Sequence, residues 1–184
     1  VVIGIDALES ADAGEHYNVA IGSETLKTMN QPNGDGNVAI GFQAFKDLNV
    51  ANPKGVAIGY QAAQGATTST ESTYVGYESG GSGVITGNEN TCLGYRTGKD
   101  LTSGTANVFL GKDAGENVTT GSYNIAVGVN ALEAAVASNQ GCIAIGHQTL
   151  MTENSGADHC IAIGFEALKL QNRDSLNIAI GGFA

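Results

Sequence analysis

Aliphatic residues return along this chain in pairs that flank a small residue and close on glycine, as in Asn124-Ile125-Ala126-Val127-Gly128-Val129-Asn130-Ala131-Leu132. Taking that glycine as position zero, copies fall at Gly4, Gly22, Gly41, Gly59, Gly76, Gly94, Gly111, Gly128, Gly146, Gly164 and Gly181, always 17 to 19 residues apart. Self-similarity at a nearly fixed period is the mark of a repeat architecture. Position minus one is aliphatic in all eleven copies, and minus three is Val or Ile in nine, with Thr73 and Thr91 in the other two. Such β-branched runs, closed by glycine and flanked by Asn, Gly, Ser and Thr, predict one short strand per copy. The fold class that follows is all-β, a parallel β-roll (β-solenoid) of about eleven 17–19-residue coils spanning residues 1–184 as one repeat domain. Five helical turns would also take 18 residues, but glycine and β-branched pairs in every copy argue against helices.

The two faces of each strand are distinguished by volume. Where position plus four is glycine (Gly80, Gly98, Gly115), minus two is large (Tyr74, Cys92, Phe109). Where plus four is Leu or Phe, minus two is Ala, or Val2 in the first copy. Close packing allows volume exchange only between positions that share space, so minus two and plus four face each other inside the coil, with the zero glycine leaving room. Ala57 with Ala63 departs from this rule and is unexplained at the level of sequence. The minus-three and minus-one columns then face outward, and an apolar stripe along a rod implies self-association with closed symmetry. Ile21, Ile40, Ile58, Val127, Ile145 and Ile163 are its candidate interface residues. Asn18, Asn37, Asn90, Asn107, Asn124 and Asn177 at minus four are placed to form an asparagine ladder. Both prolines, Pro32 and Pro53, fall in the variable turns, where no ladder hydrogen bond is lost.

Composition narrows the function classes. Tryptophan is absent and aromatics are 6%, which suits a thin linear core better than a globular one. A net charge of −10 with only 8 basic residues lacks the footprint needed to neutralise phosphates, so no nucleic acid partner is expected. No apolar run approaches the ~18 residues of a membrane span, so no membrane insertion is expected. The chain starts and stops inside copies, as a segment of a longer fibre or a processed filament subunit would.

Candidate chemistry is sparse, and no cofactor or catalytic set is expected. His147 at plus one and His159 at minus five of the next copy are near enough in register to approach, without the ligand spacing of a zinc site. Plus two is a polar column (Asp6, Glu24, Gln43, Gln61, Glu78, Arg96, Asp113, Asn130, Gln148, Glu166), which fits a solvated stripe better than paired acid and base. An added Asp at Gln43 or Gln148 is accordingly expected to change little. Cys142 and Cys160 share column minus four in neighbouring copies, about 4.8 Å apart if stacked, slightly wider than a disulfide prefers. Phe42, Tyr60, Tyr77 and Tyr95 occupy plus one in four consecutive copies, with Phe165 later. Stacked at strand spacing, they form either a solvent-facing row able to hold sugars or a ladder packed under a turn or at a subunit seam. A different class enters by arithmetic, because 18 residues are also three hexapeptides, the coil of left-handed β-helix acyltransferases. Ile21-Gly22-Ser23-Glu24-Thr25-Leu26 fits one hexad, but the following two hexads do not fit.

Asn37-Val38-Ala39-Ile40-Gly41-Phe42-Gln43-Ala44-Phe45 and Thr119-Thr120-Gly121-Ser122-Tyr123-Asn124 resemble the repeats of trimeric YadA-like adhesin heads and, more closely, those of phage tail fibres. The resemblance covers the whole chain. It implies a left-handed homotrimer around one axis, extracellular, on a virion tail fibre or bacterial cell surface, that takes part in host attachment through a glycan or protein receptor. Handedness and the number three come from the resemblance and not from spacing. Adhesin heads usually repeat near fourteen residues, so the longer period here favours the tail-fibre relative.

Overall fold

Each apolar triplet ahead of a zero glycine is a strand: β1 Val2–Ile3, β2 Val19–Ile21, β3 Val38–Ile40, β4 Val56–Ile58, β5 Thr73–Val75, β6 Thr91–Leu93, β7 Val108–Leu110, β8 Ile125–Val127, β9 Ile143–Ile145, β10 Ile161–Ile163 and β11 Ile178–Ile180. The computed structural model describes all residues except 13, 82, 134–138, 152–157 and 171–174. Each strand pairs in parallel with the next in chain order, giving one eleven-stranded sheet. Columns stay in register, with Val38 opposite Val56, Ala39 opposite Ala57 and Ile40 opposite Ile58. The molecule is thus an all-β solenoid, without a helix among the described residues. Among those residues there is a single sheet, so the three-sided prism of a hexapeptide β-helix is not what these coils build.

After the zero glycine the chain returns, among the described residues, without a named strand and with only isolated bridges such as Ala66 to Ile85. Its backbone alternates hand, with positive φ recurring at plus two (Gln43, 58°), plus four (Phe45, 49°) and minus five (Glu89, 60°). A left-handed conformation costs a non-glycine residue roughly 1–2 kcal/mol. Hydrogen bonds along the rod offset it: Gln43 N–H donates to Ser23 of the preceding coil at 2.9 Å, and Phe45 N–H to Ala62 of the following coil at 3.0 Å. The return layer is therefore tied coil to coil in both directions, which satisfies amides that a strandless segment would otherwise leave open.

The zero glycines are fixed by the next coil. From Gly4 to Gly164 their φ lies between 123° and 141°, and a Cβ on any of them would sit 2.1–2.7 Å from the carbonyl oxygen of the following zero glycine. This corrects the expectation that the glycine makes room between minus two and plus four, because the space it spares belongs to neighbouring backbone.

Those two columns do meet in the core. Ala39, Tyr74, Cys92, Phe109 and Ala126 at minus two, and Leu26, Phe45, Leu132 and Leu150 at plus four, are fully buried. A Cβ on Gly80 would lie 2.4 Å from the Tyr74 ring, and one on Gly115 would lie 2.7 Å from the Phe109 ring. The coil with Ala57 and Ala63 is filled by its neighbours: Phe45 from the coil before and Tyr74 from the coil after meet edge to face, centroids 6.1 Å apart. Tyr74 keeps its hydroxyl 3.2 Å from Ser69 Oγ, and burial pushes its pKa up to about 12.

The asparagine column forms a ladder in two runs, Asn18 with Asn37 and Asn90 through Asn107 to Asn124. Asn37 Nδ2 donates to Asn18 Oδ1 at 3.0 Å, while Asn107 donates to Asn90 and Asn124 to Asn107, both at 3.1 Å. Asn124 Oδ1 in turn accepts the Cys142 N–H at 2.9 Å. Cys142 and Cys160 are both buried, and no disulfide joins them.

Candidate functional site

The strand alternation that buries minus two turns minus three and minus one outward. None of the 22 residues in these two columns is buried. Leu93, Val108, Leu110 and Ile145 are 37–43% exposed in the middle of the rod, and Ile21, Ile40, Ile58, Val127 and Ile163 are half-buried. Each of these side chains is covered above and below by its counterparts in adjacent coils, so the open part is its outer flank. The result is a continuous apolar strip on one side of the sheet, free of charged residues and interrupted only by Thr73 and Thr91.

One residue past the zero glycine runs the aromatic row. Phe42, Tyr60, Tyr77 and Tyr95 stack with centroids 5.1–5.4 Å apart and ring planes within 23° of parallel. They are 38–45% exposed. Because each face covers the next, the row offers solvent its ring edges and the hydroxyls of Tyr60, Tyr77 and Tyr95, with broad faces open only at the two ends. At the far end the Arg96 guanidinium carbon lies 6.0 Å from the Tyr95 centroid. The carboxylate of Glu78 raises the Tyr77 pKa, with partial burial adding to it. The row is thus laid out for hydrogen bonding along an edge and not for holding a sugar flat on a ring. A second stack, absent from sequence reasoning although its column was visible, pairs His147 with Phe165 at 5.1 Å. His159 lies instead against Gly141 in the preceding coil.

The plus-two column is more tightly organised than a solvated stripe. Gln43 Nε2 donates to Glu24 Oε2 at 3.0 Å, and Gln61 Nε2 donates to Gln43 Oε1 at 2.8 Å. An Asp at 43 would face Glu24 without a donor, so the expectation of a neutral Gln43→Asp change does not hold. Gln148 differs, because its Oε1 accepts from Lys169 Nζ at 2.7 Å and a carboxylate there keeps that donor. Farther along, Arg96 pairs with Glu116, whose pKa burial raises against the opposing pull of Arg96. Among the described residues no group of three or more His, Cys, Asp or Glu converges as a metal site needs. A cleft of about 480 Å³ opens beneath β1 between Val2, Leu8, His16 and Asn18, at the end of the solenoid and away from the ring row. Comparison of the chain with protein-family models, curated proteins and solved structures returned no match.

Proposed function

We propose that this chain is a segment of an extracellular attachment fibre, of the phage tail-fibre or bacterial adhesin type, assembled as a left-handed homotrimer with its apolar strips toward the common axis. The observation that carries this is the unburied minus-three and minus-one strip running from β1 to β11. Full burial of an aliphatic side chain is worth about 1.5–3 kcal/mol, so twenty of them, each partly exposed, offer on the order of 10 kcal/mol per subunit before the entropy of association. Ten strand spacings of about 4.8 Å make each rod about 48 Å long, and a ladder of that spacing is matched along its length by another copy of itself. The number of copies and the hand rest on the tail-fibre resemblance. Receptor contact falls to the exposed edge of the aromatic row, and a glycan array read with Tyr60, Tyr77 and Tyr95 each changed to Phe tests the hydroxyls without disturbing the stack.

Sedimentation and light scattering test the assembly. Ile40→Asp or Ile145→Asp puts an unpaired charge in the strip at every symmetry-related copy, at a cost of several kcal/mol each. We expect these variants to remain folded monomers while Gln148→Asp stays trimeric. A monomeric wild type, or an Ile40→Asp variant as trimeric as its control, overturns the proposal, as would turnover in an acyl-donor assay.

A further inference from the structure

The apolar strip has a weakness as an interface, because it repeats. Adjacent levels carry nearly the same side chains, so two copies that slip by one coil bury almost the same surface and lose only an end level. An apolar seam alone therefore specifies axial register poorly. The strip nevertheless holds one mark of position, Thr73 on β5 and Thr91 on β6, consecutive and outward-facing in a column otherwise composed of Val and Ile. Neither threonine is needed for the coil's own core, since the buried residues of those strands are Tyr74 and Cys92.

We propose that Thr73 and Thr91 set the axial register between copies of this chain. The inference rests on the self-association proposed above and names its partner as a second copy held level with the first. With all strands level, Thr73 meets Thr73 and Thr91 meets Thr91, and the hydroxyls hydrogen-bond across the seam. A slip of one coil keeps a single Thr73–Thr91 match and sets the remaining threonines against Val56 and Val108 of the neighbouring copies. A slip of two coils strands every one of these hydroxyls against aliphatic side chains. A hydroxyl buried without a partner is costly, whereas apolar levels are interchangeable. A single polar position in an apolar seam fixes register in coiled coils by the same logic.

The test uses disulfide trapping between two separately isotope-labelled populations of the chain, mixed through unfolding and refolding. Leu93→Cys and Leu110→Cys sit on the exposed strip at adjacent levels, and the native Cys92, Cys142 and Cys160 are buried. Mass spectrometry reads the ratio of same-level bonds (93 to 93) to adjacent-level bonds (93 to 110). We expect same-level bonds to dominate in the Thr73/Thr91 background, and the ratio to fall about tenfold or more in Thr73→Val/Thr91→Val, whose hydroxyls are gone but whose shape is kept. An unchanged ratio in that double variant overturns the register role while leaving self-association standing. Monomers in both backgrounds, seen by light scattering before oxidation, overturn the self-association itself.

Discussion

From Gly4 to Gly164 a methyl group at position zero has no room, because it would strike the backbone of the next coil. In Gly76→Ala the new Cβ would meet the Gly94 carbonyl oxygen at 2.1 Å, on a residue whose φ is +138°. Backbone lies on the other side of that clash, so nothing cheap can move. We expect Gly76→Ala to lose on the order of 3 kcal/mol or more in equilibrium denaturation, while Gly83→Ala, whose Cβ meets nothing within 4 Å, stays within about 0.5 kcal/mol of wild type. Similar losses at both positions would refute the close-approach explanation. Tyr74 gives a residue-scale prediction in pH. Its phenol pKa rises from 10.0 to about 12 through burial, so between those values the unfolded chain ionises first. The sign follows: stability present below pH 10 is lost as pH climbs toward 12, by up to about 2–3 kcal/mol. Tyr74→Phe gives up the Ser69 hydrogen bond, about 1 kcal/mol at neutral pH, but escapes the alkaline loss. Melting curves of the two proteins should converge above pH 10 and then cross, and parallel curves would count against a buried phenol.

At the scale of the coil, the core works by exchange between its two walls. Coils with Tyr74, Cys92 or Phe109 on the strand carry glycine on the return segment, and coils with Ala on the strand, that of Ala57 and Ala63 excepted, carry Leu or Phe there. Leu132 and Leu150 adopt φ of 55° and 46° at plus four, so a leucine can take the conformation of Gly115, whose φ is 61°. Phe109→Ala alone leaves a cavity and should cost about 3–5 kcal/mol. Gly115→Leu alone drives a side chain into the Phe109 ring and should also destabilise. Together they rebuild an Ala-and-Leu coil, and we expect the double variant to recover most of the loss, with a coupling energy of about 1–3 kcal/mol in a double-mutant cycle. Additive losses would show that the two walls do not share their space.

Over the whole molecule, strands touch only their neighbours in chain order. Stability in such an array is a sum of coil and interface contributions, so opening begins where one interface is missing. Val2 and Ile3 are 51% and 59% exposed at one end, and Ile178 and Ile180 are 69% and 70% exposed at the other. In the 184-residue chain taken by itself, hydrogen exchange should therefore release the amides of β1 and β11 first and those of β5 to β7 last. Uniform protection along the rod would mean that the solenoid opens as one cooperative unit instead.

Much of this architecture was legible in the residues because a solenoid is nearly one-dimensional. The period placed all eleven strands, alternation within Val38-Ala39-Ile40 divided inside from outside, and the reciprocal sizes of Phe109 and Gly115 identified the facing walls. These follow from local geometry repeated in register, which a column of residues records directly. Only the tertiary structure decided what depends on the coil above or below. The left-handed backbone of Gln43 and Phe45 is set by which neighbouring coil each amide must reach. The Ala57 and Ala63 coil is filled by rings that belong to other coils, and the faces of Tyr60 and Tyr77 are closed by one another. Gly94 is required by the carbonyl of Gly111 and not by its own side-chain neighbours. Sequence spacing specifies which residues share a level, but packing between levels fixes the direction of each amide and the room left for each side chain.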